Sequence, residues 1–243
     1  MIDLHCHLDL YKDPISILPE VKRRCKYLLA VTTSPRAWQK AKQVFAGIHC
    51  VNVALGLHPE ILSSKTNEID MLLSNICHCK YIGEVGIDGS SQYKTSYQTQ
   101  KDLFREIVRT AEKCGGRIIS IHSRNAVKDV LDIIESDVVA SVPVLYWFSG
   151  TMEDLKRANA LGCWFSVNPV MLTGNKGKSL VSKMPLSRIL PETDAPFTEK
   201  RGVPYMPWEA IQIVNLLEDF FQLDAEQIEN ELVSNVKRLI DWR

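Results

Sequence analysis

No stretch of the sequence approaches the ~18 apolar residues that a membrane-spanning helix needs, so a transmembrane reading is excluded. Neither sign of charge dominates: 29 basic and 29 acidic side chains leave a formal net charge of zero. A protein that coats long duplexes needs a strongly basic surface, so that mode is excluded too; contact with a nucleic-acid end or a small anion stays open. Cysteine is sparse and odd in number, seven scattered over 243 residues, which reads as reduced thiols in a cytoplasmic protein. Cys77-His78-Cys79 is tighter than the Cys-x2-Cys of a zinc loop and reads as the end of a helix. No Gly-x-Gly-x-x-Gly turn follows the first strand, which removes the commonest reason to expect an open nucleotide-binding sheet. The chain opens directly on a strand, with no room for a signal peptide, and no low-complexity linker divides it.

What is present is alternation. After an opening strand over 1–9, the apolar periodicity predicts helices over 14–26, 36–47, 67–77, 96–114, 126–135 and 152–161. Between them fall strand-like runs over 27–32, 51–57, 81–88, 117–122, 143–147 and 163–167. A short basic helix inside 168–184, an eighth strand over 188–194 and helices over 207–221 and 225–240 complete the chain. Eight strands alternating with helices imply α/β architecture, a parallel (β/α)8 TIM barrel formed as one domain over 1–243.

A strand sends successive side chains to opposite faces, so His5 and His7 share one face while Leu4, Cys6 and Leu8 share the other. In such a barrel the chemistry collects at the C-terminal ends of the strands. Reading polar residues from those ends gives His5 and His7, then Glu84, His122, Tyr146 and Asp194, with His58 from the loop after strand three. Three histidines and two carboxylates converging on one rim would repel and lose hydration unless a cation compensated them. Mixed imidazole and carboxylate donors suit zinc or manganese better than magnesium. Glu84, between the two groups of histidines, is placed to bridge two metals of the kind that hold the attacking and leaving oxygens of a phosphoryl displacement.

The strings His5-Cys6-His7-Leu8-Asp9, Gly83-Glu84-Val85-Gly86-Ile87-Asp88, Ile121-His122-Ser123-Arg124, Trp147-Phe148-Ser149-Gly150 and Glu192-Thr193-Asp194-Ala195-Pro196-Phe197 resemble the TatD family of metal-dependent DNases. The resemblance runs in order over essentially the whole chain. It implies an amidohydrolase-like barrel that cleaves phosphodiesters of DNA, acting as an exonuclease on ends or single strands with water activated on a one- or two-metal centre. It also implies that His5, His7, Glu84 and Asp194 hold one divalent metal, that Glu84, His122 and one more histidine hold a second, and that Asp194 takes the proton from the attacking water. The family pattern has a histidine where this sequence has Tyr146. A neutral phenol is a poor ligand, so either the second metal binds weakly or Tyr146 donates a hydrogen bond to phosphate. This replacement is similar to the TatD-like subunits of Qat anti-phage defence systems, which would bring protein partners in a defence complex.

Substrate-side expectations are Arg124, whose fork suits phosphate, Lys176 in Gly174-Asn175-Lys176-Gly177-Lys178, His58, and Tyr146. Lys200-Arg201 is an equal candidate for phosphate or for a solvated loop, and Trp147 is a minor candidate for base stacking. Asp9 and Asp88 are expected to orient ligand histidines, while His49 and His78 are read as structural. Beside deoxyribonuclease chemistry stand two other classes: a metal-dependent hydrolase of C–N or ester bonds, and a metal-stabilised, catalytically attenuated subunit of a larger complex.

Overall fold

Among the described residues, runs of β-branched and aliphatic residues form the main strands, and a helix follows each of the first seven. The computed structural model describes residues 1–242. In chain order the main elements are β1 (Ile2–Cys6), α1 (Pro14–Arg24), β2 (Tyr27–Val31), α2 (Pro35–Val44), β3 (Val51–Ala54), α3 (Ile69–Asn75), β4 (Tyr81–Gly86), α4 (Tyr97–Lys113), β5 (Ile118–His122) and α5 (Val127–Asp137). They continue with β6 (Val142–Tyr146), α6 (Met152–Ala160), β7 (Trp164–Val167), α7 (Asn175–Val181), β8 (Ile189–Pro191), a small hairpin β9 (Glu199–Lys200) and β10 (Val203–Pro204), then α8 (Ile213–Phe221) and α9 (Ala225–Asp241). The expected eighth strand is shorter than its apolar run suggests, because Asp194 adopts φ +55 and the chain turns before reaching it. The expected helix over 207–221 begins instead as a 3₁₀ turn, Pro207–Gln212. Among the described residues no helix is long and apolar enough to cross a membrane.

The residues group into two compact units. The first comprises, of the described residues, 1–30, 47–52 and 164–242. In it β1 pairs in parallel with β2, Asp3 opposite Leu28 and Cys6 opposite Ala30, and β7 pairs in parallel with β8. Leu4, Cys6 and Leu8 are buried, and so are Asp3, His5 and His7, so both faces of this segment are covered. Helix α9 starts on an Asp224–Gln227 capping box and buries Ile228, Leu232, Val236 and Leu239, a stripe of helical spacing. Each such side chain contributes about 1.5–3 kcal/mol by leaving water. Within that apolar stripe the buried Asn235 amide donates to the carbonyls of Leu186 and Ile189, anchoring the start of β8.

The second unit comprises Val31–Ala46 and Val53–Cys163. Here β4, β5 and β6 pair in parallel, with Gly86 opposite His122 and Ile121 opposite Leu145. Helix α4 buries Leu103, Phe104, Ile107, Val108 and Ala111.

The expectation of seven reduced thiols is corrected. Cys77 and Cys114 form a disulfide with a Cα–Cα distance of 5.2 Å, leaving Cys6, Cys25, Cys50, Cys79 and Cys163 free. Cys77 is therefore more than a helix-end residue. The two cysteines lie 37 residues apart and meet only because α4 packs back along its own unit, a pairing that local spacing does not reveal. Closing a loop of that length contributes roughly 4 kcal/mol on a chain-entropy basis. The Arg117 guanidinium braces the same corner, donating to the carbonyls of Ile76, Cys77 and Cys114. With a disulfide present, cysteine usage no longer argues for a reducing compartment.

Candidate functional site

In the first unit His5, on β1, and His7, one residue past its end, converge on one place, and both are buried. Their Nε2 atoms each lie 3.6 Å from Asp194 Oδ1. Backbone hydrogen bonds fasten this meeting of distant segments: Asp194 N donates to His5 O (2.8 Å) and His7 N to Ala195 O (2.8 Å). Asp3, fully buried, completes the staple. Its Oδ1 accepts from Thr193 N (3.0 Å) and His5 N (3.2 Å), and its Oδ2 accepts from the Thr193 hydroxyl (2.6 Å). Burial pushes the Asp3 carboxyl up to about 7, against the lowering effect of those hydrogen bonds.

In the second unit a single oxygen, Glu84 Oε1, gathers three neighbours. His58 Nε2 lies 2.6 Å away and His122 Nδ1 2.8 Å, and the Tyr146 hydroxyl donates to it. Tyr146 also hydrogen-bonds His122 Nδ1. His122 Nε2 is held by Asp88 Oδ2 at 2.7 Å, and His58 Nδ1 accepts from Glu60 N at 3.1 Å. Because Nδ1 of His58 is an acceptor, its proton sits on Nε2 and points at Glu84. Burial alone would lower the His122 imidazole, but hydrogen bonds to Asp88 and Glu84 outweigh it and lift the group to about 9. Burial likewise works to raise Asp88, yet His122 and Ser90 hold it well below the usual carboxylate range.

The backbone brings Glu84 in very close. A Cβ on Gly56 would sit 1.9 Å from Thr32 O and 2.4 Å from Glu84 N, and one on Gly86, at φ +143, would sit 2.1 Å from His122 O. Glycine at these two positions is what lets the strands carrying Glu84 and His122 approach.

Three groups of side chains have ligand atoms within 4.8 Å of one another: His5, His7 and Asp194; His58, Glu84 and His122; and Glu60, Asp88 and His122. The first fits a divalent cation by its chemistry, with two imidazoles and a carboxylate buried together and no hydroxyl among them. The second differs. Oε1 of Glu84 is shared by protons from His58 and Tyr146 as well as by His122, so a cation there competes with them.

Of the remaining residues, Asp88 contacts His122 directly, as noted. The Asp9 carboxyl lies on the 3₁₀ turn Leu8–Leu10; its Oδ1 has no hydrogen-bond partner among the described residues, and burial raises it. Arg124 is exposed and pairs with no carboxylate among the described residues; Lys176 is exposed on α7. His49 and His78 are exposed and belong to none of these groups. Trp147 adopts φ +38 and is half-buried. Two residues escaped sequence reasoning. Asp3 continues the i, i+2, i+4 face of His5 and His7, a signal that was available. Gly56 carried none, since its neighbour Thr32 lies far back in the sequence, just past the end of β2.

Residues 2–241 match the family model described as TatD related DNase. A protein described as an uncharacterized metal-dependent hydrolase of Buchnera aphidicola is 28% identical, covering 99% of this chain and 99% of its own. The human deoxyribonuclease TATDN3 is 25% identical, over 98% of this chain and 94% of its own. The crystal structure of YjjV, a TatD homologue of Escherichia coli K12, superposes with a TM-score of 0.88 at 22% identity, covering 98% of this chain and 97% of that one. That likeness, with the parallel β/α alternation, shows the fold: a single-domain α/β protein of the (β/α)8 barrel class.

Proposed function

The chain belongs to the TatD related DNase family and is a metal-dependent hydrolase, and from that premise we propose that it cleaves phosphodiester bonds of DNA, working on ends or single strands. The observation that carries this reading is the buried His5, His7 and Asp194 group, a donor set suited to zinc or manganese. His5, His7 and Asp194 would hold one ion, and Glu84 and His122 would hold a second. Such an ion, when bound, polarises a phosphoryl oxygen and makes water a stronger acid. The chain's own residues do the rest. Asp194 receives the proton from the attacking water on its carboxylate, and His5 and His7, fixed by Asp3 through Thr193 and the backbone, keep that carboxylate aimed. Asp88 holds the Nε2 proton of His122, so that Nδ1 is the atom turned to Glu84. On the substrate side Arg124 and Lys176 supply charge and hydrogen bonds to phosphate oxygens, while the protons of His58 and Tyr146 face Glu84 and reach phosphate only by leaving it.

The test is cleavage of single- and double-stranded DNA by the purified chain, before and after chelation and after adding back zinc or manganese. Hydrolysis lost with the metal and recovered with it is the expected result. DNA left intact under every metal while amides or esters are hydrolysed would turn the assignment to the C–N and ester branch.

Tyr146 favours a second reading for the Glu84 group, that of an attenuated centre, and with it a subunit acting through protein partners in defence. Exchanging Tyr146→His removes the phenol proton from Glu84 Oε1 and supplies an imidazole donor. Bound metal, measured by elemental analysis after equilibrium dialysis, is expected to rise from about one ion per chain towards two. An unchanged stoichiometry would show that the phenol does not limit occupancy.

A further inference from the structure

Phe197 stands out on physical grounds. It is 62% exposed, and among the described residues it is the only aromatic among the exposed large apolar side chains. Leaving an apolar ring in water costs about 25 cal/mol per Å² of apolar surface, and scattered aliphatic residues bear that cost throughout protein surfaces. This ring, however, is placed with care. Its backbone N–H donates to Asp194 O (3.0 Å), and the next residue, Thr198, donates its hydroxyl to Thr193 O (2.6 Å), so the turn that presents it is built from the same segment as Asp194. Its ring meets that of His7 in a T-shaped contact, with ring centroids 4.9 Å apart and planes at 80°. Despite that contact, at 62% exposure much of the phenyl ring stays open to solvent.

The chain then enters the β9–β10 hairpin, whose tip Arg201-Gly202 has positive φ at both residues, the geometry of a tight two-residue turn. Lys200 and Arg201 are exposed there, outnumbering the single carboxylate of Glu199. Within one short segment the protein thus offers an open aromatic ring against a candidate metal ligand and, a few residues on, a pair of cations. Proteins that hold single-stranded nucleic acid combine these two elements, rings on which bases stack and cations that follow the phosphates.

We infer that Phe197 is a stacking platform for a nucleobase of the strand being cleaved, next to the His5, His7 and Asp194 group, and therefore a substrate-positioning residue. This rests on the reading of the chain as a DNase. A ring of this kind has no hydrogen-bonding code, so it grips any base and favours strands whose bases are unstacked, such as frayed ends and single strands.

The test uses the metal-loaded enzyme and a single-stranded thymidine oligonucleotide, with a matched oligonucleotide whose terminal nucleotides are abasic. Phe197→Ala is expected to raise KM on the normal strand by about 5- to 150-fold, the range that one stacked base supports. The effect falls on KM, with metal content retained and kcat changed much less. Phe197→Trp restores KM, and on the abasic strand the difference between wild type and Phe197→Ala disappears. An unchanged KM in Phe197→Ala on DNA that the wild type cleaves overturns the platform and leaves the DNase reading standing. So does an equal loss on normal and abasic strands, which would mean that the ring merely supports His7. A wild type inactive on every DNA form overturns both.

Discussion

Asp194→Asn is expected to lower DNA hydrolysis by about 10²–10⁴-fold, the span that a positioned proton acceptor supplies, without unfolding the chain. Asparagine keeps the shape of the side chain and tolerates the left-handed conformation in which residue 194 sits, at φ +55. The hydrogen bond from its backbone N–H to His5 O is untouched. What disappears is the negative charge 3.6 Å from both His5 Nε2 and His7 Nε2. With it goes the atom proposed to receive the proton, and one of the donors proposed to hold the ion. The check is kcat/KM on a DNA substrate, with a thermal melt and a metal determination beside it. A variant that melts like wild type, binds metal like wild type and cleaves within a few-fold of its rate would remove Asp194 from the mechanism.

Gly56→Ala is the second large effect, and it acts through packing. The new methyl group would lie 1.9 Å from Thr32 O, 2.4 Å from Glu84 N and 2.7 Å from Gly83 C, all main-chain atoms. Those atoms cannot yield separately, because Thr32 N donates to Gly83 O, Glu84 N to Thr32 O and Leu57 N to Glu84 O. Relief therefore means moving the backbone that carries Glu84. Overpacking of this severity costs about 3 kcal/mol, to be read as a fall in the urea midpoint. A displacement of about 1 Å at a catalytic carboxylate lowers activity by around 10²-fold, so residual folded enzyme should also be impaired. Gly174→Ala is the control, since nothing lies within 4 Å of the added methyl there; it should change stability by less than about 0.5 kcal/mol. Equal midpoints for the two variants would show that the close approach at Gly56 is not required.

These two residues mark the limits of what could be read from the chain alone. Asp194 was legible because it ends a strand-like run with a charge, where an apolar residue was expected. Gly56 was not, because its constraint is the Thr32 carbonyl, distant in sequence and just past the end of β2. The same contrast holds at His58, which the sequence left between a substrate contact and a part of the rim. Only the folded chain brings its Nε2 to Glu84, and only the hydrogen bond from Glu60 N decides which of its nitrogens carries the proton. At Tyr146 the residue type left open a weakened second metal or a hydrogen bond to phosphate, and the fold supplied its partners, Glu84 and His122.

By itself the sequence determined the alternation of strands and helices, and the pairing of His5 with His7 on one face. Both follow from local periodicities of about two and 3.6 residues, which the chain carries whatever its surroundings. Only the tertiary structure decided that Asp194 closes on that pair, that Asp3 staples them through Thr193, and that Cys77 reaches Cys114. It also decided that Phe197 is left in water against His7. Each of these joins or exposes groups through packing between distant segments, and no local pattern of residues records which segments will meet.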